Sequence, residues 1–131
     1  MTSSTARGAA APTLGPAFWV AAAVTLVSAF VSLGYSVAGV IADGASDEYA
    51  LYAASRSVAL AAAAIAVLTA RSTRVLLVVG GAMTIVQAFD GLIGLTIDDT
   101  VKTVGPFAAA VVTAVALGFA AREARRPGAR R

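Results

Sequence analysis

Four long apolar stretches, separated by short polar segments, dominate the pattern of this chain. They cover residues 17–42, 49–70, 75–97 and 100–121. Each is close to the roughly 20 residues that a helix needs to cross about 30 Å of hydrocarbon at about 1.5 Å per residue. The pattern therefore predicts four transmembrane helices.

The connections between these stretches are only a few residues long, at 43–48, 71–74 and 98–99. Connections this short force consecutive helices to be antiparallel. We therefore expect an all-α, integral membrane, up-down-up-down four-helix transmembrane bundle over residues 16–121. A cleaved signal peptide is the competing interpretation of the first stretch, but that stretch is longer than the roughly 7–15 residue core of such peptides.

The segments outside the bundle have their own signals. Residues 1–15 are rich in Ser, Thr, Ala, Gly and Pro and are predicted to be a flexible tail, and residues 122–131 form a basic tail. Ser46 is the predicted N-cap of the second helix, because Asp47 and Glu48 follow it in the first turn.

The amino-acid composition indicates a protein surrounded by lipid. Hydrophobic residues make up 59% of the 131 positions and charged residues 13%, and mean hydropathy is +0.84, whereas a soluble domain is about a quarter charged. The lipid bilayer is thus the expected partner. The chain also contains no cysteine, histidine or asparagine, which excludes disulfides and the usual zinc, copper and haem ligands. We expect neither a metal site nor a cofactor.

The distribution of charge predicts orientation. One side of the bundle carries eight basic residues with Glu123 as its acid: Arg7, Arg71, Arg74, Arg122, Arg125, Arg126, Arg130 and Arg131. The other side carries five acids with Lys102 as its base: Asp43, Asp47, Glu48, Asp98 and Asp99. The positive-inside rule then places both termini in the cytoplasm and the protein in the inner (plasma) membrane. This topology explains the basic pI without nucleic acid, because the basic tail lacks the aromatic residues of a strand-binding surface.

Two charged residues lie deep in the apolar stretches. Arg56 is seven residues beyond Tyr49 and Asp90 is seven residues before Ile97, so each is about 10 Å below the same membrane boundary. A charge at the centre of the bilayer costs about 2.5–3.5 kcal/mol on insertion scales. Since the second and third helices are antiparallel neighbours, we predict an Arg56–Asp90 ion pair.

Further polar residues gather at this depth. Ser32 and Tyr35 lie on the first helix, and Tyr52 lies one turn from Arg56 on the second. On the third helix Gln87 belongs to a stripe with Gly80, Thr84, Gly91 and Gly94. The layer is expected to open toward the acidic side.

Two interpretations of this layer stay open. In the structural one, Arg56 and Asp90 clasp two helices together, and the tyrosines belong to the interfacial aromatic belt. In the functional one, Arg56 orients an anionic or carbonyl oxygen of a lipophilic molecule and Asp90 acts as a general acid or base. The candidate catalytic residues are then Asp90 and Arg56, and the candidate ligand-binding residues are Tyr35, Tyr52, Gln87 and Ser32.

A family resemblance rests on part of this region. The stretch from Ser55-Arg56-Ser57 through Arg71 and Arg74 to Gln87-Ala88-Phe89-Asp90-Gly91 resembles the DoxX-like group of small four-helix bacterial membrane proteins. The resemblance covers about a third of the chain. It implies a membrane-embedded role near quinones or other lipophilic small molecules.

Three functions follow as hypotheses. The first is an outward-facing polar pocket around Arg56 and Asp90 that binds, and in an enzyme transforms, a lipophilic small molecule by metal-free acid/base or isomerase chemistry at Asp90. The second is a non-enzymatic structural or accessory subunit that packs against a larger membrane partner or further copies of itself. The third is a small transporter, although one acid already matched by an arginine argues against cation conduction.

Overall fold

A computed structural model describes residues 14–43 and 47–126. It contains four helices: α1 (Pro16–Asp43), α2 (Glu48–Ala70), α3 (Thr73–Thr96) and α4 (Thr100–Ala124). All four are long and apolar enough to cross a membrane, and the described part of the chain has no strand. The predicted four-helix transmembrane bundle is confirmed.

The helix bounds differ from the predicted ones by at most three residues. The largest difference is at α4, which continues to Ala124, so the predicted basic tail begins inside a helix. The extension is physically reasonable, because Ala, Arg and Glu are good helix formers and Arg122 complements the negative end of the helix dipole. The remainder of the two predicted tails, residues 1–13 and 127–131, lies outside the described residues.

Aspartates cap two of the helices. The N-cap of α2 is Asp47, whose Oδ1 accepts hydrogen bonds from the backbone N–H groups of Tyr49 at 2.8 Å and Ala50 at 3.4 Å. The prediction of Ser46 as this N-cap is therefore wrong, and Ser46 itself lies outside the described residues. A carboxylate is favoured here because it both accepts the bonds and complements the positive end of the helix. Asp99 caps α4 in the same way, and the Lys102 N–H that it accepts, at 3.0 Å, lowers the pKa of its carboxyl.

The two ends of the bundle carry opposite charge. We call the end with Asp47, Glu48, Asp98 and Asp99 the acidic end, and the end with Arg71, Arg74, Arg122, Arg125 and Arg126 the basic end. Within the bundle, α3 packs most extensively against α4, and α1 packs against both α2 and α4. Although α2 and α3 are consecutive, they make few contacts, and α2 does not touch α4.

A carboxylate from the last helix caps the first one. Glu123 Oε2 accepts the backbone N–H of Ala17 at 2.8 Å. The residue before Pro16 is Gly15, which has no side chain to cap α1, and a Cβ at this position would overlap the Glu123 carboxylate. The start of α1 and the end of α4 are thereby joined at the basic end.

The outer surface of the bundle is apolar, and its interior consists mostly of small side chains. Most of its large aliphatic and aromatic side chains are exposed, while eight of the thirteen buried apolar side chains among the described residues are alanines. In lipid there is no hydrophobic drive between helices, so association depends on close packing of small residues and on hydrogen bonds. In a soluble protein the large apolar side chains would be buried, so their exposure here indicates that the helices are surrounded by lipid.

Packing weakens from the basic end to the acidic end. One apolar cluster fills the basic half, and a smaller one built around Met83 lies near the middle: Phe18, Ala21, Ala22, Val67, Leu76, Ala116, Leu117 and Ala120 form the first, and Ala29, Ala61, Ala64 and Met83 the second. No residue is buried in the stretches nearest the acidic end on three helices, residues 33–42, 48–56 and 100–109. On α3 the buried residues at that end are Gly91 and Gly94.

These glycines bring α3 and α4 together. A Cβ on Gly91 would lie 2.9 Å from the Phe107 ring, and one on Gly94 would collide with the backbone carbonyl of Lys102. Pro106 has no N–H to donate to that carbonyl, which leaves it without its usual helical donor. The close approach at Gly94 therefore occurs where α4 presents an unused backbone oxygen.

We expect Gly94→Ala to destabilise the bundle by about 1–3 kcal/mol, the usual effect of forcing an extra carbon into a packed contact. The obstructing atoms belong to the α4 backbone, so a side-chain rotation cannot relieve the collision. Gly81→Ala is the matched control on the same helix, because a Cβ there has open space around it. Unfolding of both variants in detergent micelles measures the difference, and equal stability of the two would contradict the close contact.

Candidate functional site

An ion pair joins α2 to α3. Nη2 of Arg56 donates to Oδ1 of Asp90 at 2.9 Å. The predicted ion pair is therefore present, and it bridges the two consecutive helices that otherwise touch least. The pair is not enclosed, because 43% of the Arg56 side chain and 22% of the Asp90 side chain are exposed.

The pair leaves much of its hydrogen-bonding capacity unused. A guanidinium has five N–H donors and an ionised carboxylate has acceptor sites on both oxygens. Only the Nη2–Oδ1 contact engages them within the described residues. The remaining N–H groups of Arg56 are thus able to donate hydrogen bonds to an oxygen-bearing group that approaches from outside the bundle.

Three serines form a hydrogen-bonded cluster between α1 and α2. The Ser57 side chain is fully buried, and its Oγ lies 2.7 Å from Ser36 Oγ and 3.4 Å from Ser32 Oγ. Ser36 Oγ also donates to the backbone oxygen of Ser32 at 3.0 Å. The candidate ligand-binding residue Ser32 is therefore engaged in joining two helices.

Ser36 and Ser57 were not among the candidate site residues. Their signal in the sequence is the four-residue spacing of Ser32 and Ser36, which places both on one face of α1. Ser57 directly follows Arg56, so the helix turn that carries the ion pair also carries the serine contact to α1.

The two candidate tyrosines lie on the surface. Tyr35 is 62% exposed and Tyr52 is 73% exposed, and neither side chain makes a hydrogen bond to another described residue. Tyr52 lines a shallow groove along α2 with Glu48, Leu51 and Ser55. Their exposure near the acidic end fits amphipathic rings at a membrane interface.

Gln87 lies in the interior. It is 4% exposed and belongs to the buried stripe of α3 that also contains Gly80, Gly91 and Gly94. The predicted stripe is thus buried at these positions, while Thr84 is half-buried and donates to the Gly80 carbonyl at 2.9 Å. Oε1 of Gln87 has no hydrogen-bond partner among the described residues.

The candidate residues form separate groups. Arg56 contacts Asp90, and Ser32 contacts Ser57. Among the described residues, no hydrogen bond connects these two pairs with each other, with Gln87 or with the two tyrosines. Within residues 14–43 and 47–126, no three acidic side chains approach closely enough to hold a metal ion. What the arrangement offers is a partly satisfied cation and anion at the surface of the bundle, beside a hydrogen-bonded helix contact.

Comparisons of the chain with protein-family models, curated proteins and solved structures find no match.

We expect a double-mutant cycle on Arg56→Met and Asp90→Asn to give a coupling free energy of about 1 kcal/mol, in the range measured for polar contacts between membrane helices. Unfolding in lipid bicelles measures all four proteins. The reference is the cycle on Lys102→Met and Asp99→Asn, whose ion pair at 3.4 Å lies within one exposed helix turn. Its coupling should be smaller and more sensitive to salt, because water screens it. No coupling between Arg56 and Asp90 would contradict the contact.

Proposed function

We propose that this chain is an integral membrane protein that binds a lipophilic small molecule through an oxygen-bearing polar head, with Arg56 and Asp90 at the binding site. The observation that carries the proposal is the partly used guanidinium. Arg56 donates one hydrogen bond to Asp90 while 43% of its side chain remains exposed.

The bilayer makes this exposure unusual. Arg56 lies eight residues into α2 from Glu48, or about 12 Å along the helix axis. At that depth few water molecules compete for its N–H groups, and unsatisfied polar groups are costly. A carboxylate, phosphate or carbonyl oxygen would satisfy the remaining donors, and a planar guanidinium suits two-point binding of such groups. The apolar part of the same molecule would lie along the exposed aliphatic surface of the helices.

The roles of the surrounding residues follow from their positions. Asp90 holds the guanidinium in place and, in an enzyme, would exchange a proton with the head of the ligand. Tyr52, one turn from Arg56, and Tyr35 would border the ligand from the surface. Ser32 and Gln87 would support the site from within the bundle. The DoxX-like resemblance implies the same class of ligand and stays a prediction.

A structural role is the second candidate, and one observation favours it. The Arg56–Asp90 pair spans α2 and α3, which otherwise make few contacts. In this alternative the pair is a clasp, and the protein is an accessory subunit of a membrane complex or associates with further copies of itself. A small transporter is the third candidate, and the neutralisation of Asp90 by Arg56 weighs against it.

Binding of a long-chain fatty carboxylate tests the first candidate. With radiolabelled palmitate and the protein in nanodiscs, we expect Arg56→Met to weaken binding by at least about tenfold, because a charge-assisted hydrogen bond contributes about 1.5–3 kcal/mol. Asp90→Asn should retain binding, since the amide oxygen of the asparagine can still accept a hydrogen bond from Arg56 and the guanidinium keeps its charge. Arg74→Met, which removes an exposed arginine at the basic end, is the control and should bind as the unmodified protein does. Palmitate binding that is unaffected by Arg56→Met, in a variant that remains folded, would favour the clasp.

We also propose that the basic end faces the cytoplasm, so that the site opens to the outside of the cell. The chain contains no cysteine, and single cysteines therefore report orientation directly. Thr100→Cys at the acidic end should react with a membrane-impermeant maleimide in intact spheroplasts. Ser72→Cys at the basic end should react only after the membrane is disrupted. The reverse pattern would contradict the orientation.

A further inference from the structure

Two polar atoms in the interior of the bundle have no partner among the described residues. They are Oε1 of Gln87 on α3 and Oγ1 of Thr113 on α4. Gln87 is 4% exposed and Thr113 is fully buried. Buried polar atoms in proteins are almost always paired, because leaving one unpaired lowers the stability of the fold.

Thr113 differs from the other buried threonine of the bundle. Thr25 Oγ1 donates to the backbone oxygen of Ala21 at 2.8 Å, one turn earlier in its own helix. This backbone contact is the usual way in which a helical threonine satisfies its hydroxyl. Thr113 makes no such bond, so its hydroxyl is available to a group between the helices.

The two atoms lie at nearly the same height in the α3–α4 interface. The contact between Gly91 and Phe107 provides a common reference level. Toward the basic end, Gln87 is four residues from this level on α3 and Thr113 is six residues from it on α4. At about 1.5 Å per residue these heights are about 6 and 9 Å, so they differ by about 3 Å. Closer to the basic end, the contact between Gly80 and Leu117 closes the α3–α4 interface.

Between these two contacts the buried side chains of α4 nearest Gln87 are small, and Met83 of α3 lies further toward the basic end. The buried side chains that α4 contributes near Gln87 are Ala110 and Thr113. Toward the acidic end, Asp90 lies three residues from Gln87 and is partly exposed. None of the described α1, α2 and α4 residues nearest that end is buried. The bundle is therefore less densely packed on the acidic side of this position than on its basic side.

We propose that Gln87 and Thr113 hold an ordered water molecule between α3 and α4, near the middle of the membrane. The water donates a hydrogen bond to Oε1 of Gln87 and accepts one from the Thr113 hydroxyl, so that both side-chain atoms have a partner. If the amide is rotated, Nε2 donates to the water oxygen instead and the site is preserved. Buried waters of this kind bind where two to four polar groups converge. The site requires no ligand at Arg56 and does not depend on the proposed function.

The sequence makes this site directly observable by NMR. Gln87 is the one glutamine of a chain without asparagine, so its side-chain NH₂ gives the single amide pair of that type in a ¹⁵N spectrum. With the full chain in nanodiscs of deuterated lipid, we expect water-selective NOE and ROE experiments to show cross-relaxation between water and this NH₂ group. No such signal in the unmodified protein would overturn the proposal.

Two variants of Thr113 identify the source of the signal. Thr113→Val replaces the hydroxyl by a methyl group of similar size and should abolish the cross-peak. Thr113→Ala removes the hydroxyl but leaves room for water, so the cross-peak should persist. Loss in both variants would assign the signal to the threonine hydroxyl, and persistence in Thr113→Val would place the water elsewhere; either result would overturn the site. Thr25→Val, which removes a hydroxyl already bonded to its own helix, should leave the cross-peak unchanged, and the backbone ¹⁵N spectrum verifies that each variant is folded.

Discussion

Hydrocarbon offers no hydrogen bonds, and this property of the solvent determines how the chain is arranged. Backbone groups are satisfied within the four helices, and the aliphatic side chains that would form the core of a soluble protein face outward. Most of the buried residues are therefore alanine, glycine, serine and threonine. Helix contacts consequently depend on how closely backbones approach, as at Gly94 and Lys102.

The same constraint separates the bundle into two halves with different properties. The basic half is packed around Leu76 and Leu117, whereas the acidic half is held by few specific contacts. Those contacts are the Arg56–Asp90 pair, the serine cluster at Ser57 and the glycine contacts between α3 and α4. The bundle is therefore densely packed at one end and carries its polar contacts between helices toward the other.

Depth was predictable from the sequence and orientation around the helix axis was not. Membrane thickness fixes helix length, so counting residues placed Arg56 and Asp90 at one level and paired them correctly. Counting could not reveal that Tyr35 and Tyr52 are exposed, because the face that a residue occupies depends on where its neighbours pack. A helix surrounded by lipid has apolar side chains on every face and gives a weak periodic signal. The N-cap of α2 is Asp47 and not the predicted Ser46 for a related reason: both residue types suit that position, so residue type alone does not decide between them.

The bond between Glu123 and Ala17 has a consequence for biogenesis. The chain emerges from the ribosome in order, and α1 enters the membrane long before α4 has been made. Until then Gly15, which precedes Pro16, offers the first turn of α1 no side chain that could cap it, and the bond from Glu123 is absent. The carboxylate that completes this turn arrives with the last helix. Synthesis of α4, the last of these four helices, therefore stabilises α1, the first of them, through a hydrogen bond that cannot form before Glu123 has been made.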